Sequence, residues 1–287
     1  MTFPPRRLYT IPLAGGGRLS LGERPLVMGI LNVTPDSFAG GVPDAGAAVA
    51  AAAAMEAAGA DLIDVGGEST RPGADAVAAE EQIARVLPVV RAAAGRLRIP
   101  ISVDTRDAAV AQAALDAGAA LINDVSGLRH DPALGRVVAG RGAALVLMLS
   151  RGNPKTMGER ADYGDVIAET SRELRESLAA AERAGVPAAS VILDPGIGFA
   201  KRPEHSYGVL ARLPELAAAL ARPLLVGPSR KSFLRAASGG RPALERDWAT
   251  AAAVTAAVLA GAHIMRVHAV DEMVQVVRAA EEIRNNG

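Results

Sequence analysis

Residues 191–201 read VILDPGIGFAK, and the reading of this stretch decides the fold. An apolar run of β-branched residues and Leu meets an acid and is then stopped by Pro and Gly. Such a run predicts a central parallel strand, buried on both faces. Asp194 then stands at the strand's carboxyl end, where an ionised group is costly unless it is paired. Gly196 and Gly198 allow a tight turn behind it, and Phe199 offers a flat apolar surface beside the carboxylate. An acid beside an aromatic wall suits a flat ligand rich in N–H groups. Asp-Pro-Gly also serves as an ordinary turn cap, so this stretch alone leaves both roles open.

The same pattern recurs on either side of it. Short apolar runs appear as LVMGILNV, DLIDVGG, IPISVDT, LINDVSG, ALVLMLS, VILDPGIG, PLLVGPS and IMRVHAV. Helical segments begin between them near Ala45, Ala78, Arg106, Pro132, Gly164, Pro203, Asp247 and Asp271, several closing on a glycine stop. Eight strands alternating with eight helices predict an α/β (β/α)8 TIM barrel. An open doubly wound sheet would instead be expected to show one switch-point site and one Gly-rich loop opening a helix. No GxGxxG or P-loop pattern is present. Before the barrel, residues 7–24 predict two short strands around a triple-glycine turn. The expectation is a single domain over 1–287, with an N-terminal β-ribbon (1–24) plugging the bottom of a barrel (25–287).

Composition agrees with one barrel. The chain has 287 residues, half of them hydrophobic, and zero formal net charge. Charge therefore gives no footprint for nucleic acid or an anionic membrane, and an anion must be bound locally. Absence of cysteine excludes disulfides, thiolate metal sites and Cys nucleophiles. There is no leader-like apolar region and no long uncharged span, so a cytoplasmic protein is expected. Lysine occurs only at 155, 201 and 231, in a chain that otherwise uses Arg.

The two ends of the predicted strands differ. They begin in Pro, Ala and aliphatic residues, and they end in Asn32, Asp64, Asp104, Asn123 with Asp124, Ser150, Asp194, Ser229 to Lys231, and Arg266 with His268. In a TIM barrel those ends meet on one face, where the active site is built. Any one of them reads more readily as a core polar group or helix cap; the whole set does not. Asp104, Asn123 and Asp194 suit the donor–acceptor edge of a guanidine-like heterocycle. Arg266 and His268, two apart on one strand, face the same way and with Arg71 and Arg230 suit a phosphate. Asn32 could complete a Mg²⁺ site with phosphate oxygens and water. Asp36, Ser37, Glu68, Ser69 and Thr70 are loop candidates. His130, His205 and His263 read as structural.

Segments MGILNVTPDSF (28–38), DLIDVGGESTRPGA (61–74), ISVDT (101–105), LINDVSG (121–127), NPKTM (153–157), LDPGIGF (193–199), PSRKSF (228–233) and GAHIMRVH (261–268) resemble the dihydropteroate synthases, in that family's order and over nearly the whole chain. The resemblance implies a transfer of a pterinylmethyl group from dihydropterin pyrophosphate to p-aminobenzoate. It further implies that Asp104, Asn123, Asp194 and Lys231 hold the pterin, with Phe199 beside the reacting end and Arg266 near the ring. Arg266, His268 and Asn32 would hold pyrophosphate, Asn32 with Mg²⁺. Thr70, Arg71, Pro72 and Ser232 would surround the p-aminobenzoate, and Lys231, Arg266, His268 and Asp104 would serve the chemistry. A homodimer on the late helices is implied as well.

Two features depart from the family. Leu149 and Ser150 stand where a His-Met pair is usual, and the loop after Phe38 is short. A pterin-binding methyltransferase domain would share the barrel and the acids without needing the SRKSF lysine. A non-catalytic pterin-binding relative would tolerate Ser150.

Overall fold

The structure, a computed structural model, describes residues 3–34, 44–69, 73–153 and 155–287. Strands β1 (Tyr9–Pro12) and β2 (Arg18–Leu21) pair antiparallel with Tyr9 opposite Leu21. Eight further strands follow: β3 (Leu26–Asn32), β4 (Leu62–Gly66), β5 (Ile101–Asp104), β6 (Leu121–Asp124), β7 (Ala144–Met148), β8 (Val191–Asp194), β9 (Leu225–Val226) and β10 (Ile264–Val267). Between and after them lie α1 (Ala45–Ala57), α2 (Ala79–Ala94), α3 (Ala108–Asp116), α4 (Ala133–Arg141), α5 (Val166–Arg183), α6 (Pro203–Ala211), α7 (Leu213–Leu220), α8 (Asp247–Leu259) and α9 (Val270–Asn285).

All pairings among β3 to β10 are parallel, in the order β8-β7-β6-β5-β4-β3-β10-β9. Leu193 of β8 bridges to Leu224 just before β9, and its N–H donates to Pro223 at 3.0 Å, which joins the two ends of the sheet. The eight expected strands are thus arranged as a barrel and not as an open sheet. One helical segment differs from expectation: that beginning at Pro203 is two helices, because Pro214 in the first turn of α7 restarts the chain after Arg212. β9 is only two residues long, flanked by Pro223 and Pro228, which cannot donate to a ladder.

Side chains alternate along each strand. One parity, with Val27, Ile63, Val103, Ile122, Leu145 and Leu193 among it, packs under the helices. The other parity carries Leu26, Met28, Leu62, Leu121, Val146, Ile192, Leu225 and Ile264, which form one buried cluster with Ile11, Leu13, Leu19 and Leu21 of the ribbon. The ribbon's alternating apolar face is therefore spent on the amino-terminal end of the barrel interior. That leaves the carboxyl end as the open mouth, where the inward parity turns polar.

Candidate active site at the carboxyl ends of the strands

Two residues beyond Leu62, Leu121, Ile192 and Ile264 on the inward parity stand Asp64, Asn123, Asp194 and Arg266; Asp104 is two beyond Ser102. The register puts Asn32 beside Gly66, Gly66 beside Asp104, and Asp104 beside Asn123, at one level of the barrel. All four acids and amides are buried: Asp64, Asp104, Asn123 and Asp194.

Arg266 joins them. Its Nε donates to Asp64 Oδ2 at 2.6 Å and its Nη2 to Asp104 Oδ2 at 2.8 Å, while Asn123 Nδ2 donates to the same Asp64 oxygen at 2.9 Å. One guanidinium between two carboxylates leaves a negative charge uncompensated. Burial pushes the Asp104 carboxyl above its ordinary range; Arg266 opposes this, and Asp64, Glu68 and Asp124 add to the push.

Asp194 accepts from the Gly196 N–H at 2.7 Å. Gly196 has φ +67°, and a Cβ there would lie 1.9 Å from the Leu149 carbonyl oxygen, so only glycine closes this turn. Burial raises the Asp194 pKa, with Lys231, the Gly196 N–H, Arg266 and Lys201 opposing it. Lys231 donates to the Ile197 carbonyl at 2.5 Å and lies 4.3 Å from the centre of the Phe199 ring. Burial lowers it to about 8, against the pull of Asp194. A Cβ on Gly198 would sit 2.9 Å from Lys231 Cδ, so this glycine makes room for the lysine stem.

His268, two residues beyond Arg266, is fixed by Ser229. The Ser229 hydroxyl lies 2.9 Å from Nδ1 and accepts from the His268 backbone N–H at 3.2 Å. A hydroxyl held at two points by one histidine is a brace for that ring rather than a poised nucleophile. Arg230, expected among the phosphate ligands, is turned elsewhere: its Nε and Nη2 donate to Asp247 at 2.8 and 2.7 Å. Ser232 is exposed and follows Lys231 in the same loop. Thr70, Arg71 and Pro72, with Asp36 and Ser37, lie outside the described residues. Ser150 lines a cavity of about 30 Å³ with Arg106, Ser126, Gly152, Met157 and Phe199.

Of the three histidines expected to be structural, two hold the fold through their rings. His263 Nδ1 accepts from Leu224 N at 3.2 Å and its Nε2 faces the Arg7 carbonyl at 3.1 Å. His205 accepts from Arg202 N at the start of α6. Two contributors escaped the sequence reading. Asp64 stood among the polar strand ends but received no role, although it anchors both Arg266 and Asn123; its even spacing from Leu62 was the available signal. Lys201 closes the opening stretch, yet nothing in sequence marks it as buried.

The fit of Mg²⁺ is limited by the donor set. Among the described residues no group of three or more His, Asp or Glu gathers around a common point. Gly66 leaves open the space beside Asn32: a Cβ there would lie 3.7 Å from Asn32 Oδ1 and 3.6 Å from Asp104 Cβ. One neutral oxygen fits an ion that brings phosphate oxygens and water with it, and not a resident all-protein site.

A closed barrel whose mouth holds buried acids, an amide and two cations against an aromatic ring is built to bind a flat, N–H-rich heterocycle. The pterin binding enzyme family matches residues 28–268, and the chain belongs to it. Within that class its relatives include dihydropteroate synthases. The one from Synechocystis sp. is 44% identical over 284 residues, covering 98% of this chain and 96% of its own. The structure of Burkholderia cenocepacia dihydropteroate synthase complexed with 7,8-dihydropteroate superposes with a TM-score of 0.87 at 42% identity, covering 98% of both chains. That of the Xanthomonas albilineans enzyme with 4-aminobenzoic acid gives 0.88 at 40% identity, over 96% of this chain and 99% of the other.

Proposed function

We infer that this chain catalyses the dihydropteroate synthase reaction, joining 6-hydroxymethyl-7,8-dihydropterin pyrophosphate to p-aminobenzoate and releasing pyrophosphate. The observation that carries the reading is the division of the mouth into two chemistries. Buried Asp104, Asn123 and Asp194 with Lys231 form one side, the braced His268 forms the other, and Arg266 stands between them with its Nη2 on Asp104.

The first side offers acceptors for the pterin's N–H edge and donors for its acceptors, held in a dry setting where charge-assisted hydrogen bonds are strong. Phe199, fixed under the Lys231 ammonium, stands beside the methylene that reacts. The second side meets the pyrophosphate. As the C–O bond breaks, negative charge gathers on the departing oxygens. A unit positive charge about 4 Å away is worth about 4 kcal/mol at an effective dielectric near 20. The arylamine nitrogen of p-aminobenzoate then bonds to the methylene carbon and loses its proton. No nucleophile–base pair is required, in accord with a mouth that positions fixed charges.

Asn32 would hold a Mg²⁺ carried with the pyrophosphate, an ion that supplies charge neutralisation when bound. Thr70, Arg71, Pro72 and Ser232 belong in this reading to the p-aminobenzoate side. A homodimer built on the late helices is supported by Trp248 of α8 and Leu244 beside it, 90% and 74% exposed. No helix among the described residues is long and apolar enough to cross a membrane. Ribbon and barrel act in this reading as one domain, on the strength of their shared core.

The test is pyrophosphate release that requires both the pterin pyrophosphate and p-aminobenzoate. Tight pterin binding without any such release would leave a pterin-binding protein and sink the enzyme.

A further inference from the structure

Arg230 adopts φ +59°, in the left-handed region that a residue with a Cβ seldom enters. Such a conformation lasts only where the surroundings over-determine it. Here they are the start of one helix. The Arg230 N–H donates to Thr250 Oγ1 at 3.0 Å, and its Nε and Nη2 donate to the two Asp247 oxygens. Arg246, the residue before α8, donates from Nη1 to the Arg230 and Lys231 carbonyls at 3.2 and 3.3 Å. Its Nε donates to the Arg241 carbonyl at 2.8 Å, so the guanidinium is tied on both sides. Arg246 and Thr250 are buried.

These contacts run in the wrong direction for helix capping alone. The start of a helix needs acceptors for its free N–H groups. Arg246 instead donates to loop carbonyls, and Thr250 accepts from a loop N–H. What is satisfied is the loop. On one side of Arg230, Ser229 braces the His268 ring and its backbone N–H. On the other, Lys231 reaches the Ile197 carbonyl at 2.5 Å and lies 4.3 Å from the centre of the Phe199 ring. The φ of Arg230 sets the direction of Lys231 relative to Ser229, so relaxing it to a negative value redirects one of the two. A lysine stem is flexible, and a fixed backbone is what confines its ammonium.

We propose that Thr250, Arg246 and Asp247 are positioning residues for the site: the start of α8 holds Arg230 in its left-handed conformation and thereby fixes where Lys231 delivers its ammonium. None of the three touches the ligand in this account. The consequence for the heterocycle rests on the pterin reading above; the placement of Lys231 does not.

The test uses Thr250→Val, which keeps the shape and removes the acceptor, and Thr250→Ser, which keeps the acceptor. Lysine occurs at only three positions, so protein labelled with ¹³C at the lysine ε-carbons gives three signals, with that of Lys231 assigned by its loss in Lys231→Arg. In the ligand-free wild type the Phe199 ring current displaces this signal. In folded Thr250→Val the displacement should collapse toward the position of an exposed lysine such as Lys155, and in Thr250→Ser it should persist. Asp247→Asn, at a partly exposed pair, should move the signal the same way and carries the test should Thr250→Val not fold. An unmoved Lys231 signal in the folded variants overturns the proposal. So does an equal collapse in Thr250→Ser, which would make packing and not the hydrogen bond the cause. A second arm measures kcat/KM for the pterin pyrophosphate, expected to fall about tenfold in Thr250→Val and to recover in Thr250→Ser. A collapsed signal with wild-type kcat/KM would defeat the pterin reading of Lys231 while leaving its placement by α8 established.

Discussion

Arg266 and Asp64 face each other across the barrel mouth at 2.6 Å, and the Asp64 oxygen that receives the guanidinium also receives the Asn123 amide at 2.9 Å. Asp64 is fully buried, so it organises the site from beneath without being offered to solvent. Asp64→Ala would strand the buried Asn123 amide and leave Arg266 with Asp104 as its remaining carboxylate. We expect a loss of about 3–5 kcal/mol of stability, read by chemical denaturation, together with weakened pterin binding. Asp64→Asn keeps an acceptor and should cost distinctly less. Equal stability of the Ala variant and wild type would show that Asp104 alone suffices to hold Arg266.

Asp194→Asn should weaken pterin binding by about 1–3 kcal/mol, because a charge-assisted contact becomes a mismatched amide contact. Calorimetric titration measures this directly. The Gly196 N–H bond at 2.7 Å needs only an acceptor, which Asn also provides, so the turn should survive the change. Unchanged affinity in a folded variant would return Asp194 to plain turn capping.

The barrel was legible in the sequence because its parallel strands are buried on both faces and read as unbroken apolar runs ended by a polar residue. The rim was legible for the same reason: an Asp or Asn closes five of the eight runs, and no single structural use suits them all. Pairwise partners were not legible. Arg230 and Arg266 look alike in sequence, yet one is neutralised by Asp247 at the start of α8 and the other reaches into the barrel. Which carboxylate each guanidinium meets depends on a residue 17 positions away in one case and 162 or more in the other. Burial of Lys201 depends on the positive φ of Ala200, a conformation that no local residue preference announces.

Inorganic pyrophosphate should bind about tenfold or more tightly with Mg²⁺ than without it, and turnover should require the ion. The reason lies in the proposed donor set: Asn32 would supply one neutral oxygen, so the ion would depend on the anion and the anion on the ion. Asn32→Ala should remove most of the difference, measured by calorimetry with and without a chelator. Full activity after exhaustive chelation would take the metal out of the mechanism.

His263 gives the fold a pH dependence of its own. Burial lowers it to about 4 from an ordinary 6.5, with its ring committed to Leu224 N and the Arg7 carbonyl. The unfolded chain therefore binds the proton more readily than the folded one. The stability owed to neutral His263 is complete above about pH 6.5 and is lost as pH falls from there through about 4, on the order of 3 kcal/mol in all. Subtracting the pH–stability curve of His263→Gln from that of wild type should isolate this slope. A flat difference between those two pH values would mean that the folded protein takes up the proton at no cost.

Lys231 is one of three lysines in the chain, and its surroundings explain why arginine should not replace it. Its stem runs so close to Gly198 that a single added carbon there would lie 2.9 Å from Cδ. Its ammonium is held between the Ile197 carbonyl at 2.5 Å and the face of Phe199 at 4.3 Å. A guanidinium is wider and planar, and would have to displace the ring, the turn or the pterin. Lys231→Arg keeps the charge that Asp194 needs, so the fold should hold and the melting temperature should change little. The specificity constant for the pterin substrate should fall at least tenfold, about 1.4 kcal/mol of transition-state stabilisation. Wild-type kinetics in this variant would show that the site asks only for a positive charge at this position, and the geometric role assigned to the ammonium would fail.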